Sequence, residues 1–205
     1  MEKSTVKKNS VIFVLILILG IGGFFLWKNN QDTPPEKWME AKMSPVEDFI
    51  IKETPEGKIV ENKKAGISFK IPTDWIVKED PSSFYSPDTK FSEKRSDVLE
   101  VGCKLNIDIS YIKTNIDVLE KFRKENISQL SSVIKNEEFK KIEIKSYLAL
   151  VYGFDVEVIG TSYSWIDVPF KNRIYTILLT SPIQEEERCQ AELDKFSESI
   201  SIISD

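Results

Sequence analysis

The chain of 205 residues carries 28 basic and 33 acidic side chains, for a net charge of −5, and contains two cysteines and no histidine. The acidic balance argues against nucleic acid and anionic lipid headgroups as partners, because both require a basic surface. Without histidine, this chain cannot build a Ser-His-Asp or Cys-His pair, an HExxH zinc site or an imidazole acid or base.

An uninterrupted apolar run lies near the start of the chain. Residues 11–27, VIFVLILILGIGGFFLW, carry no charge, and thirteen of the seventeen are Val, Ile, Leu or Phe. This composition predicts a transmembrane helix roughly 25 Å long, with Trp27 at the membrane interface. A cleaved signal peptide is the alternative, although its small-residue exit would have to lie at residues 20–22, inside the apolar run.

Charge and proline content divide the chain around this run. Lys3, Lys7 and Lys8 precede it, which places the N-terminus in the cytoplasm by the positive-inside rule. Residues 28–57 hold four of the nine prolines and charges of both signs, a composition typical of a linker. The predicted parts are a cytoplasmic basic tail (1–10), a transmembrane anchor (11–27), a juxtamembrane linker (28–57) and an extracytoplasmic domain (58–205).

The domain begins with residues that alternate like β-strands. Ile67, Phe69 and Ile71 alternate with polar residues, which predicts a strand with one buried face. Further short strands are expected at 75–77 and within 83–88, where Pro87 stops the second one. About 145 residues follow the linker, enough for one domain with a hydrophobic core.

The middle of the chain predicts a strand and then a helix. Residues 103–111 show the cleanest period-two alternation in the sequence. Apolar residues then recur at helical spacing, with Thr114 as the predicted N-cap, Asp117 at the third helical position, and an end near Asn136.

The last third of the domain predicts strands and a closing helix. Residues 140–180 are rich in strand-forming segments, and the run 174–179 is apolar on both faces, which predicts a central strand. A hairpin turn is expected at 169–173 and a bulge at Gly153. The tetrapeptide Ser181-Pro182-Ile183-Gln184 matches a capping box with proline in the first turn. One stripe of the closing helix is predicted to carry Cys189, Leu193, Phe196 and Ile200.

The two cysteines, Cys103 and Cys189, lie on the apolar faces of their predicted strand and helix. Export of the domain permits oxidation, so we predict a disulfide between them. Two buried free thiols are the alternative.

The decapeptide from Gly66 to Trp75, GISFKIPTDW, resembles the opening of PsbP-like and Mog1-like domains, in which a Phe-centred strand is followed by Pro-x-x-Trp. The agreement extends to three later segments: Asn115–Asn136 as a helix, Val156–Thr180 as a long hairpin, and Phe196–Ile203 as a terminal helix with a Ser-Ile exit.

This resemblance, over residues 58–204, implies an α+β fold in which a largely antiparallel sheet is sandwiched by helices, an α/β/α arrangement. Members of the family are mostly non-enzymatic assembly factors, lipoproteins or accessory subunits. Some PsbP proteins bind metal through histidines, which this chain lacks, so we expect neither a metal nor a cofactor.

Carboxylates are the remaining route to catalysis. Asp155 with Glu157, or Asp108, are the acidic residues placed among the predicted strands. A pair of carboxylates could serve a glycosidase, but a solvent-facing strand side is the simpler interpretation of all three.

Several aromatic side chains could line a ligand groove between sheet and helices: Trp75, Phe84, Tyr85, Tyr163 and Trp165. Core packing is the favoured role for most of them. Tyr163 and Trp165, however, share a strand face with Thr161 and Asp167, which is less apolar than a core face. This pair is therefore our predicted partner-binding surface.

Together these patterns predict a non-catalytic binding or assembly domain, tethered through residues 11–27 to the lipid bilayer and located outside the cytoplasm. Its expected partner is a protein of the cell envelope. The alternative is an envelope hydrolase that uses paired carboxylates.

Overall fold

The fold is built from two large antiparallel sheets, a small two-stranded sheet and two α-helices, in a computed structural model that describes residues 35–55, 57–78 and 80–203. The predicted anchor, residues 11–27, lies outside this range. Within the described residues, no helix has the length and apolar character needed to cross a bilayer.

In chain order the elements are β1 (Ile50–Thr54), β2 (Gly57–Asn62), β3 (Ile67–Ile71), β4 (Ile76–Val77), β5 (Ser83–Tyr85), β6 (Lys90–Phe91), β7 (Leu99–Val101), β8 (Lys104–Ser110), α1 (Ile116–Ser128), β9 (Lys135–Ile144), β10 (Tyr147–Val156), β11 (Thr161–Phe170), β12 (Arg173–Pro182), α2 (Glu186–Ser199) and β13 (Ser201–Ile202).

The larger sheet has seven strands in the order β4-β5-β8-β12-β11-β10-β9, and the smaller has four in the order β1-β2-β3-β13. Strand β12 is the fourth of the seven, which confirms its predicted central position. The register between β9 and β10 shifts between Gly153 and Asp155, which confirms the predicted bulge. A Cβ on Gly153 would lie 2.8 Å from the carbonyl oxygen of Tyr163, so the close approach of β11 requires glycine here.

One face of the large sheet forms the main hydrophobic core with the small sheet and α2. Phe69 of β3 is 1% exposed, and its ring lies 5.8 Å from that of Phe84 and 5.1 Å from that of Phe196. Leu193 and Phe196 of α2 are buried here, as the predicted stripe requires. This layer therefore combines a helix with a second sheet, rather than helices alone.

The opposite face of the large sheet is covered by α1. Leu119 and Ile127 of α1 are buried against Leu150 and Ile174 of the sheet. The predicted α+β class with a mostly antiparallel sheet is thus confirmed for the described part of the chain, and one of the two layers that cover the large sheet contains a second sheet as well as a helix.

Both helices differ from their predicted boundaries. The side chain of Asn115, rather than Thr114, caps α1, because its Oδ1 accepts from the backbone N–H groups of Asp117 and Val118 at 3.0 Å each. The helix ends at Ser128, because the chain turns and enters the long strand β9.

The predicted capping box of the closing helix is wrong. Ser181 and Pro182 belong to β12, where they pair with Ser162 and Thr161. Helix α2 begins only at Glu186, after the 3-10 turn Ile183–Glu185, and no side chain caps its first turn.

The described part of the predicted linker is folded onto the domain. Trp38 is buried, with its ring 4.4 Å from that of Phe122. The backbone N–H of Ser44 donates to Ile109, and Lys42 accepts from Tyr111. Strand β1 then pairs along its whole length with β2. The predicted linker therefore contributes a buried tryptophan and a paired strand to the packed structure.

A disulfide joins Cys103, next to the start of β8, to Cys189 of α2, which confirms the predicted pairing. The two Cα atoms are 5.6 Å apart, and both residues are fully buried. The bridge fastens the closing helix to the large sheet.

Loss of this bridge should lower the free energy of unfolding by about 2–5 kcal/mol, because a loop of 86 residues is no longer closed in the unfolded chain. The Cys103→Ala/Cys189→Ala double variant should melt at lower temperature than the oxidised protein. Reductant should have no effect on that variant. Equal melting temperatures for the double variant and the oxidised protein would contradict the prediction.

An aromatic pocket between helix α1 and the large sheet

Four aromatic side chains lie side by side on the face of the large sheet that α1 partly covers. Tyr152 and Phe154 of β10 are paired in register with Trp165 and Tyr163 of β11. The rings of Tyr152 and Trp165 are stacked at 5.2 Å and 3°, and those of Tyr163 and Trp165 at 5.7 Å and 22°. Cross-strand aromatic pairs of this kind stabilise a sheet and present a rigid apolar surface.

The end of α1 and these aromatic rings enclose a pocket of about 170 Å³. Its wall on the helix side is formed by Arg123, Asn126, Ile127 and Leu130, and its floor on the sheet side by Tyr152, Phe154 and Trp165. An apolar cavity of about 150 Å³ is large enough to hold benzene. We call this site the aromatic pocket; it has room for one ring or one branched aliphatic side chain.

A buried carboxylate lies beside the pocket. Asp167 is fully buried and accepts three hydrogen bonds: from Nε of Arg123 at 2.8 Å, from the hydroxyl of Tyr152 at 3.1 Å, and from the hydroxyl of Thr176 at 2.6 Å. The guanidinium of Arg123 also lies over the ring of Tyr152, 5.8 Å from its centroid. The charge of Asp167 is therefore paired within the protein, as burial requires.

The pKa values of Arg123, Tyr152 and Tyr163 are all raised above their ordinary values. Burial lowers the pKa of Arg123, but the adjacent Asp167 carboxylate outweighs it, so the pKa rises above its ordinary value. Burial and then Asp167 raise the pKa of Tyr152 well above its ordinary value. Burial, with a smaller contribution from Asp97, also raises the pKa of Tyr163. None of these shifts brings a group toward neutral pH, where proton transfer in catalysis requires it.

The structure brings both predicted binding residues to this site. Trp165 lines the pocket, and Tyr163 lies next to it on the same strand; both are half-buried. Their role in binding a partner stays a prediction. Sequence reasoning missed the helix wall, because nothing in the spacing of α1 residues shows that Arg123 meets Asp167, 44 positions later.

The predicted carboxylates do not form a pair. Asp155 is 3% exposed and accepts from the side-chain amide of Asn136 at 2.6 Å, so our expectation of a solvent-facing carboxylate is wrong for this residue. Glu157 lies in the 3-10 turn Glu157–Ile159, exposed, with an ion pair of 2.9 Å to Lys135. Asp108 is exposed on β8.

Carboxylates do converge elsewhere. A cavity of about 210 Å³ between α2 and the β9–β10 edge is lined in part by Glu138, Glu186 and Asp194. Across the part of the chain that the structure describes, no group of three or more His, Cys, Asp or Glu side chains is arranged to hold a metal ion.

No family model matches this chain, and no curated protein does so either. Among solved structures, the chain is similar to LpqN of Mycobacterium tuberculosis, described as involved in cell envelope biogenesis, with a TM-score of 0.50, 11% identity, and coverage of 84% of this chain and 98% of that one. It is also similar to the cyanobacterial PsbP of Synechocystis, with a TM-score of 0.44, 13% identity, and coverage of 76% and 92%. A protein of Bacteroides thetaiotaomicron matches with a TM-score of 0.44, 14% identity and 73% coverage of this chain, which spans about half the length of that protein.

The fold and the pocket define a small α+β domain with an apolar surface site. At 11% identity, the similarity to LpqN shows a shared fold and not a shared activity.

Proposed function

We propose that this chain is a membrane-tethered, extracytoplasmic domain without catalytic activity, which binds a protein of the cell envelope through the aromatic pocket. The observation that carries the proposal is the pocket itself, where stacked aromatic rings form a preformed apolar floor and Arg123 is the one charged side chain of the lining. Aromatic residues and arginine are the types most often found at the centre of protein interfaces.

The chemistry of the site supports binding over catalysis. Arg123 and Tyr152 titrate even further from neutral pH than usual, and Asp167 is occupied by three donors. The envelope hydrolase with paired carboxylates is less well supported, because Asp155 faces the interior while Glu157 faces solvent. The fold shared with LpqN adds an analogy for a role in the envelope.

Photo-crosslinking in intact cells tests this proposal. A benzophenone amino acid is placed at Leu130, which is 46% exposed and lines the pocket, or at Leu148, which is 49% exposed on the same strand face as Tyr152 but four residues away, about 13 Å along β10. We expect a specific adduct from position 130 and not from 148, and its loss when protease is added to spheroplasts. Equal adducts from both positions, or adducts that resist external protease, would contradict the proposal.

A further inference from the structure

The two terminal nitrogens of Arg123, Nη1 and Nη2, indicate what the aromatic pocket binds. We infer that the pocket takes the C-terminal residue of a partner protein, with its large apolar side chain between α1 and Trp165 and its free carboxylate on the Arg123 guanidinium. This inference rests on the proposed function and adds the chemistry of the group that is recognised.

The size of the pocket sets the size of the side chain. A volume of about 170 Å³ accommodates one phenyl ring or one branched aliphatic chain, and no more. The walls that would contact it are Ile127, Leu130, Phe154 and Trp165, all apolar. One anchor residue in a pocket of this kind is the usual centre of a protein interface.

The N–H donors of Arg123 indicate which polar group of the ligand would bind beside the apolar side chain. A guanidinium has five N–H donors, and Nε donates to Asp167. Within the described part of the chain, no acceptor is hydrogen-bonded to Nη1 or Nη2 of Arg123, although the side chain is only 28% exposed. Neither Nη atom is completely buried, so a ligand in the pocket can reach them. Because Arg pairs best with a carboxylate, these two nitrogens are complementary to a carboxylate.

The ligand's apolar side chain and its carboxylate must lie close together, which favours the C-terminal residue of a partner protein. Arg123 lines the same pocket as the apolar walls, so ring and carboxylate must lie on one residue or on close neighbours. In an extended segment, the side chain next to the anchor points to the opposite side, away from Arg123. A C-terminal residue carries both groups on a single Cα.

Two other occupants fit less well. A sugar needs many hydrogen-bond partners, whereas Arg123 and Asn126 are the polar side chains of the α1 wall. A membrane surface with anionic lipids needs a basic face, whereas Lys135, at the start of β9, is paired with Glu157. The exposed Leu130 and Val133 at this end of the domain therefore fit a protein surface.

The test uses the full chain in nanodiscs of zwitterionic lipid, with ¹⁵N in the indole rings of its four tryptophans. The Trp165→Phe variant assigns the Trp165 signal. N-acetyl-L-phenylalanine should shift this signal with a Kd on the order of millimolar. N-acetyl-L-phenylalaninamide, which lacks the carboxylate, should bind about tenfold more weakly.

Variants separate the contribution of the apolar wall from that of the Arg123 guanidinium. Leu130→Ser should weaken binding of both probes, whereas Leu148→Ser, at a residue of equal exposure outside the pocket, should change neither. Arg123→Lys keeps a cation beside Asp167 but loses the second donor edge, so its affinity for the acid should fall to that for the amide. If Arg123→Lys does not fold, the comparison of acid and amide on the unaltered chain still decides.

Several results would overturn the inference. They are equal binding of acid and amide, a shift of Trp165 with methyl glucoside but not with the acid, or a shift caused by anionic lipid alone. If neither probe shifts Trp165 while a crosslinker at position 130 still gives its specific adduct, the inference fails and the proposed function stands.

Discussion

Replacing Phe69 or Trp75 with alanine should lower the free energy of unfolding by about 3–5 kcal/mol each. Phe69 is 1% exposed and packs between Phe84 and Phe196, so its removal leaves a cavity where three elements meet. Trp75 is 3% exposed and belongs to the same core. Denaturant titration of each variant measures the loss.

Trp165→Ala is the matched comparison, because Trp165 is only half-buried, at the edge of the apolar cluster between α1 and the large sheet. Trp165→Ala should lower the free energy of unfolding by much less than Trp75→Ala does. If Trp165→Ala proved the more destabilising of the two, our assignment of Trp75 to the core and Trp165 to a binding surface would be wrong.

Replacing Asp167 with alanine should cost about 3–5 kcal/mol, because the Arg123 guanidinium would keep its burial and lose its counter-charge. The hydroxyls of Tyr152 and Thr176 would also lose their acceptor. Chemical denaturation again gives the magnitude.

Asp108→Ala is the control. Asp108 lies exposed on β8, which is separated from the strand of Asp167 by β12, and its loss should lower stability by less than about 0.5 kcal/mol. Adding Arg123→Leu to Asp167→Ala should recover much of the loss, because no unpaired charge then remains. A cost below about 1 kcal/mol for Asp167→Ala would show that the pair is not needed to hold the helix on the sheet.

Strands were predicted from the sequence where one face of the strand is buried. The alternation at Ile67, Phe69 and Ile71 and that at 103–111 correspond to β3 and β8. Burial of one face of a pleated strand imposes a period of two on the sequence, so such a strand can be predicted without knowledge of the fold.

Helix ends were predicted less well, because capping residues compete locally. Thr114 and Asn115 are both good caps, and the choice depends on which backbone N–H groups the final turn presents. Ser181-Pro182-Ile183-Gln184 has the composition of a capping box, but pairing of its first two residues with β11 overrides that preference.

The sequence by itself determined the inward faces of β3, β8 and the closing helix, and that Cys103 and Cys189 lie on apolar faces, because periodicity reports burial. It also marked Tyr163 and Trp165, because their strand face mixes aromatic and polar residues. Only the tertiary structure decided that α1 covers that face, that Arg123 meets Asp167, and that Asp155 is buried. These depend on contacts between residues far apart in the chain, and the spacing of residues within one helix or strand carries no record of what packs against it.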